Sequence, residues 1–320
     1  MSALAQNKAS RLRGYFCIAA AALLWGISAS LGRAAFTGRL LPGQFTRPID
    51  PLILSQSRTT FSLLVLLPVL AMSRGWQALR LPRRDVIYTF LLGILGVAAS
   101  NYFYYLAIQR TNVATAIIVQ YTAPVWVLLY MVSRGAQKPT AARIAAAAIA
   151  VVGCALVIGI GGPVRLQFDS LGLAAAMLAA FSFSFYNIAG HRILERYDRW
   201  LVLLWTLLAA SLFWLVLDPP WKIVAARYSP TQWGFLLGFS LVSVLGPFSS
   251  YFAGLQYLEP TRAIVVSCLE PVFSILIAAA ALGELMHPLQ TAGILIVLSA
   301  IILVQLQDRN TAANLIDPVD

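Results

Sequence analysis

Ten long apolar stretches, separated by short polar segments, account for most of the chain. Each is about 20 residues long, the length that an α-helix needs to cross the hydrocarbon core of a bilayer. The predicted spans are 15–36, 54–72, 86–108, 112–132, 142–161, 170–190, 200–218, 232–257, 261–282 and 289–306. Very short polar joins at 109–111 and 259–260 require antiparallel helical hairpins. The pattern predicts an all-α integral membrane protein with ten transmembrane helices.

Two features refine the ends of these spans. The fifth span is expected to stop at Gly161-Gly162-Pro163, because glycine ends helices and proline cannot continue them. The first span follows three basic residues, as a signal peptide would. It is longer than a signal-peptide core and nine more spans follow, so we expect it to be retained.

The composition excludes a soluble globule. Hydrophobic residues make up 60% of the 320 residues and charged residues only 11%, against about 25% charged in soluble domains. The net charge of +11 does not indicate nucleic-acid binding, because the basic residues follow the loops rather than form one patch. Cys17, Cys154 and Cys268 all lie in apolar runs, which favours buried thiols over disulfides or ligands.

The distribution of Lys and Arg predicts the topology. If the N-terminus is cytoplasmic, fifteen of these residues fall in inside segments and eight in outside segments or at outer span ends. The positive-inside rule therefore favours a multi-pass protein with both termini in the cytoplasm.

The sequence also repeats itself at an offset of 147 residues. The matched pairs are Tyr104/Tyr251, Gln109/Gln256, Ala116/Ala263, Val119/Val266, Pro124/Pro271 and Val125/Val272. We expect two five-helix units, 10–162 and 168–308. Because five is odd, the second unit must enter the membrane from the opposite side. Such inverted repeats are typical of secondary transporters, whose substrate site lies near the midplane between the halves.

Three segments carry a family resemblance: "LLWGISAS" at 23–30, "AIQRTNVATAIIVQYTAP" ending at Pro124, and "GLQYLEPTRAIVVSCLEPVF" ending at Phe273. They resemble the EamA-type units of the drug/metabolite transporter superfamily, most of all its amino-acid exporter branch, including exporters of aromatic amino acids. The first unit departs from the pattern, with Thr122-Ala123 where the second has Leu-Glu. The resemblance implies a bacterial-type inner-membrane carrier whose cavity is lined by the first, third and fourth helices of each unit.

Polar and aromatic residues inside those helices are the candidates for the substrate cavity. They are Trp25, Ser28, Asn101, Tyr104, Tyr105, Gln120, Tyr121, Ser184, Asn187, Ser250, Tyr251, Ser267 and Glu270. Asn101 and Tyr105 are four residues apart and share one helix face. Together the candidates predict a largely neutral, aromatic cavity with hydrogen-bonding groups. For each one, packing between helices is the alternative role.

Glu270 is the only acidic residue deep in a predicted span. A carboxylate there is costly unless it is protonated, paired or hydrated, so it is a functional candidate. It could couple transport to protons, or it could accept hydrogen bonds freed at the helix break before Pro271. Pro124 and Pro271 are expected to kink their helices and to act as hinges.

Several other functions are disfavoured. A carrier of phosphorylated anions would place Lys or Arg inside the membrane, whereas Arg33 and Arg58 lie near span ends, where snorkelling explains them. His191 and His287 fall in different halves and predict no metal site, so neither an enzyme nor a cofactor is expected. A channel fits two packed inverted halves less well than a carrier does.

The sequence therefore predicts a secondary transporter that exports small metabolites, with neutral or aromatic amino acids as the leading substrates, by alternating access. The alternative is a multidrug or hydrophobic-cation exporter in which Glu270 is the charge partner and couples transport to protons. The expected partners are a small-molecule substrate and the lipid bilayer. Uniport and proton antiport both stay open, and uniport is slightly favoured.

Overall fold

A computed structural model describes residues 3–38, 47–160, 166, 169–282 and 286–313. Every regular element within these residues is helical. Ten helical spans are long and apolar enough to cross a membrane. The predicted all-α architecture with ten transmembrane helices is therefore confirmed.

Six of the ten spans are single α-helices, the third and eighth each contain a π-helical segment, and the fourth and ninth each consist of two α-helices. The α-helices are Ala3–Thr37, Pro51–Arg74, Arg83–Leu91, Ala99–Arg110, Val113–Gln120, Ala123–Ser133, Ala141–Ile158, Ser170–Leu194, Arg199–Leu217, Trp221–Ala225, Pro230–Ser240, Gly246–Leu255, Pro260–Ser267, Leu269–Leu282 and Pro288–Ala313. Trp76–Leu79 is a 3₁₀-helix, and Leu92–Ala98 and Leu241–Leu245 are π-helical.

Helix caps explain where the structure departs from the predicted ends. The second span begins at Pro51, three residues before the predicted start, because Asp50 caps it by accepting a 2.8 Å hydrogen bond from the Leu52 amide. The helix of the fifth span ends at Ile158, not at 161, because Gly159 takes the left-handed conformation with φ of 107°. Residues 161–163, the predicted stop, lie outside the described residues.

The fourth and ninth spans are both interrupted just before a proline. The fourth consists of Val113–Gln120 and Ala123–Ser133, and the ninth of Pro260–Ser267 and Leu269–Leu282. Their first halves correspond residue for residue at the offset of 147. The breaks lie just before Pro124 and Pro271, and the role of these prolines as hinges stays a prediction. The two π-helical segments also fall at corresponding places, in the third and eighth spans.

The spans pack in pairs that correspond when the two halves are exchanged. The first span packs against the eighth, and the third packs against the sixth; the first also contacts the ninth, and the sixth the fourth. The fifth and tenth spans pack closely along Gly153 and Gly293, where added Cβ atoms would meet the backbone amides of Val297 and Val157 at 2.9 and 2.6 Å. The opposite orientation of the two halves stays a prediction.

Candidate functional site

Charged and polar side chains from four spans meet near the interrupted helices. Arg58 of the second span donates from Nη2 to the Oδ1 of Asn101 in the third. Tyr121, at the break in the fourth span, lies close enough to Glu270 in the ninth for the phenol and the carboxyl to interact. The Tyr104 phenol lies within electrostatic reach of both Arg58 and Glu270. We call Arg58, Asn101, Tyr104, Tyr121 and Glu270 the polar cluster.

The two charges of the polar cluster face each other without touching. Arg58 is close enough to Glu270 for the charges to attract, yet no N–O distance between them is 4.0 Å or less. Both side chains are partly exposed. The Nε–H of Arg58 is buried and has no hydrogen-bond partner in the structure. A guanidinium and a carboxyl thus lie within electrostatic reach of each other without forming an ion pair, and one buried guanidinium donor lacks a partner.

Backbone structure fixes the orientation of Asn101. Its Nδ2 donates to the carbonyl of Val97 at 2.9 Å, and Val97 belongs to the π-helical segment of the third span. The amide nitrogen is therefore held by the helix, and the amide oxygen points at Arg58. π-Helical segments often lie at functional sites, and here the segment supports the contact to the guanidinium.

The position of Arg58 corrects the sequence prediction. Snorkelling at a span end was expected, but the helix begins at Pro51, which puts Arg58 two turns into the span, about 10 Å from its end. The signal that could have revealed this is the polar run around it. Ser55, Gln56, Ser57, Thr59 and Ser62 of the second span are all buried, and a span with that many buried polar groups faces protein, not lipid.

Five of the candidate residues are buried and bonded within the protein. Asn187 accepts a 2.5 Å hydrogen bond from the Tyr251 hydroxyl and donates to the Phe183 carbonyl at 2.8 Å. The hydroxyls of Ser28, Ser184 and Ser267 donate to the carbonyls of Trp25, Ala180 and Ile264 at 3.1, 2.8 and 2.8 Å. The structure places these side chains in the helix packing around the polar cluster. Ser184 also lies 3.3 Å from the Ala123 carbonyl beside the break in the fourth span.

Aromatic rings form the adjoining wall. Trp25 is half-buried, and its ring centroid lies 5.3 Å from that of Tyr251, 5.5 Å from Phe248 and 6.3 Å from Phe183. Tyr186 stacks on the same group from the sixth span. The first, sixth and eighth spans are thereby joined by one aromatic group, which includes Trp25 and Tyr251 of the predicted set.

The remaining candidates lie beside the polar cluster. Gln120 is partly exposed and reaches the Ser100 hydroxyl at 3.5 Å. Tyr105 is buried, with its ring 5.7 Å from that of Tyr104. Asn101 and Tyr105 were predicted to share a helix face, but Tyr104 is the tyrosine that interacts electrostatically with both Arg58 and Glu270.

Ionic contacts join the two halves at the end predicted to be cytoplasmic. Arg74 pairs with Asp198 at 2.7 Å, and Arg196 with Asp85 at 3.0 Å. The Tyr197 hydroxyl donates to Asp85 at 2.7 Å, and this hydrogen bond raises the pKa of Tyr197.

A second contact at this end joins Gln137 to Glu259 and Thr261, both at 2.8 Å. These hydrogen bonds join the two halves at this end.

No group of three metal-ligating side chains occurs among the residues that the structure describes. His191 bonds the Leu255 carbonyl at 2.8 Å through Nδ1. His287 lies at the start of the last helix, where its backbone N–H donates to the Oε1 of Gln290 at 2.9 Å. Both histidines thus have structural contacts in the described part of the chain.

Known proteins are similar to this chain in sequence and in fold. The EamA-like transporter family matches residues 12–159 and 170–306. The uncharacterized inner membrane transporter YicL of Salmonella typhimurium is 24% identical over 95% of this chain and 98% of its own. The threonine/homoserine exporter RhtA of Escherichia coli is 25% identical over 73% of this chain and 74% of its own. A solved crystal structure superposes with a TM-score of 0.72 at 20% identity, over 94% and 98% of the two chains.

Proposed function

The chain belongs to the EamA-like transporter family, and from this membership we propose that it exports neutral amino acids, aromatic ones among them, by alternating access. The chain is a multi-pass membrane transporter, and it is similar to an inner membrane transporter. The substrate class, the direction of transport and the transport cycle are the proposal.

The observation that carries the substrate class is the pair of opposite charges in the polar cluster. A neutral amino acid is a zwitterion, with a carboxylate and an ammonium group on the same carbon. The guanidinium of Arg58, a partly exposed side chain, suits the carboxylate, because Arg binds carboxylates through paired donors. The carboxyl of Glu270 suits the ammonium. Each charge within the membrane spans would then be compensated by the substrate.

The neighbouring rings fit the substrate's side chain. Trp25 is partly exposed and belongs to the aromatic group that lies between the first, sixth and eighth spans. Apolar and aromatic side chains pack favourably against such a wall. The similarity to an exporter of threonine and homoserine supports amino acids as the class, although those two are polar, so the aromatic preference rests on the wall alone.

The alternative, a hydrophobic-cation exporter with proton coupling through Glu270, is less well supported. The aromatic wall and the carboxyl would both attract an organic cation. Arg58, however, lies within electrostatic reach of the same carboxyl and would repel that cation. A zwitterion satisfies both charges and a cation only one.

The interrupted helices support alternating access. Bending at a break costs little, because the hydrogen bonds of a continuous helix are already absent there. Corresponding breaks in the fourth and ninth spans give each half a similar flexible point. We propose that the halves exchange shapes about these points and expose the polar cluster to each side in turn. Substrate-driven uniport is the simpler cycle, and proton antiport through Glu270 is its rival.

Transport by the purified chain in proteoliposomes tests the substrate class. The panel contains labelled neutral amino acids, the amines that correspond to them without the carboxylate, and lipophilic cations. We expect saturable uptake of amino acids and little uptake of the amines. Uptake of cations without any amino acid would reverse the order of the two functions, and flux that never saturates would indicate a channel.

A further inference from the structure

An apolar groove lies between the second and seventh spans, and none of its lining residues belongs to the polar cluster. Leu63 and Leu67 form one side and Leu204 and Leu208 the other. Its cavity volume is about 400 Å³. From Leu63 to the helix end at Arg74 is eleven residues, about 16 Å at 1.5 Å per residue. This length matches roughly one leaflet of a 30 Å hydrocarbon core.

The polar end of the groove has the residues of a membrane–water interface. Trp76 lines it and is 65% exposed. Trp205 is held there by a 2.9 Å hydrogen bond from its Nε1 to the Leu79 carbonyl. Tryptophan is enriched at this depth because its ring is apolar while its N–H is polar. The groove therefore extends from the hydrocarbon region to the level of the lipid headgroups.

Three arginines lie within eight residues of Trp76 along the chain. Arg80 lines the groove, and Arg83 and Arg84 follow it at the start of the third span. All three are exposed, and in the described part of the chain none has a hydrogen-bond or ion-pair partner on its guanidinium. The nearby acids already have partners: Asp85 binds Arg196 and Tyr197, and Asp198 binds Arg74. An uncompensated positive charge thus lies where a lipid headgroup would be.

We propose that this groove binds one anionic phospholipid, with an acyl chain along the leucines and the phosphate on the guanidiniums of Arg80, Arg83 and Arg84. Arginine binds phosphate through paired donors, and basic residues next to membrane spans attract anionic lipids. A zwitterionic lipid would gain less, because its own cation is repelled. A partner helix fits less well, since helices associate in membranes through small residues and not through rows of leucine.

The site has a structural consequence for the carrier. The second and seventh spans belong to different halves, and the Arg74–Asp198 ion pair also joins their ends. A lipid in the groove would contact both halves and hold this end of the seam together. The proposal does not depend on the transported substrate, so it can fail or succeed independently of the proposed function.

Native mass spectrometry of the purified, delipidated full chain tests the site. We expect one phosphatidylglycerol molecule to bind much more tightly than phosphatidylcholine with the same acyl chains. The triple variant Arg80→Gln, Arg83→Gln, Arg84→Gln should lose roughly 100-fold in affinity for phosphatidylglycerol. The matched control is Arg134→Gln, an exposed arginine predicted to lie at the same end. It should bind phosphatidylglycerol like the wild type.

Two further measurements separate the contribution of the lipid headgroup from that of the acyl chains. Leu67→Trp, which fills the partly exposed groove without changing the charge, should also reduce binding of phosphatidylglycerol. Glycerol phosphate, which has the phosphate without acyl chains, should not displace the lipid. Equal binding of the two lipids, an unaffected triple variant, or displacement by glycerol phosphate would each overturn the proposal. Thermal unfolding of both variants checks that they remain folded.

Discussion

Replacing Arg58 by glutamine should weaken the binding of a neutral amino acid about 10- to 100-fold without unfolding the protein. A hydrogen bond to a charged group contributes about 1.5–3 kcal/mol, and each 1.4 kcal/mol is about tenfold in affinity. Glutamine ends two bonds short of the Nη2 with which Arg58 contacts the Asn101 oxygen, so the variant also loses that contact. The lost contact should show in thermal unfolding, whereas the lost charge should show in the difference between an amino acid and its amine.

The same change should also alter selectivity. Without the guanidinium, Glu270 no longer has an opposite charge in reach. An amine that lacks the carboxylate should then bind as well as, or better than, it binds to the wild type. Dissociation constants for the amino acid and for its amine, measured by calorimetry on detergent-purified protein, give both effects independently of transport. Arg110→Gln, which removes an exposed arginine at the end of the third span, is the matched control.

Equal weakening for the amino acid and the amine would refute this reasoning, because it would show that Arg58 shapes the site without binding the carboxylate. An unchanged affinity for both would show that the guanidinium does not reach the substrate at all. Thermal unfolding of Arg58→Gln must stay close to that of the wild type for either result to be interpreted.

Glu270→Gln should leave a folded, substrate-binding protein whose flux ignores an imposed pH difference; a wild-type flux that already ignores it would eliminate proton coupling. A cysteine at Ser229, in a variant without native cysteines, should react with an impermeant thiol reagent in whole cells, whereas labelling only after lysis would place that loop inside. Gly293→Ala should destabilise the packed fifth and tenth spans by about 1–3 kcal/mol, whereas Gly234→Ala, with open space around it, should not. Tyr197→Phe should lower the melting temperature at neutral pH but not at strongly alkaline pH. The hydrogen bond to Asp85 raises the pKa of Tyr197 in the folded protein. Its stabilising effect is therefore present below the ordinary pKa of 10.0 and is lost as the pH rises through the higher folded pKa.

Span number and helix breaks could be predicted because they depend on local sequence. Twenty apolar residues form a membrane helix in almost any context, and a proline can interrupt a helix because it lacks the N–H, although Pro68 lies within the continuous helix Pro51–Arg74. Pro124 and Pro271 therefore predicted where the fourth and ninth spans are interrupted. Likewise, Glu270 stood out because a lone acid in a span is rare.

The composition of the polar cluster could not be predicted in the same way, because it depends on how the spans pack. The start of the second span depends on the Asp50 cap, and a shift of three residues moved Arg58 from a presumed span end into the protein. Whether Tyr104 or Tyr105 faces the charges depends on the rotation of the third span, which contains a π-helical segment. Ser184 and Asn187 look like substrate ligands in the sequence, yet they bond to neighbouring backbone and side chains.

The breaks in the fourth and ninth spans have an electrostatic consequence as well as a mechanical one. Each break brings a new helix N-terminus, at Ala123 and Leu269, into the interior of the membrane. A helix N-terminus carries about half a positive elementary charge on its free amides, and a C-terminus the opposite. These partial charges belong to the backbone, so no side-chain substitution removes them. Some affinity for polar ligands should therefore persist even when both Arg58 and Glu270 are neutral.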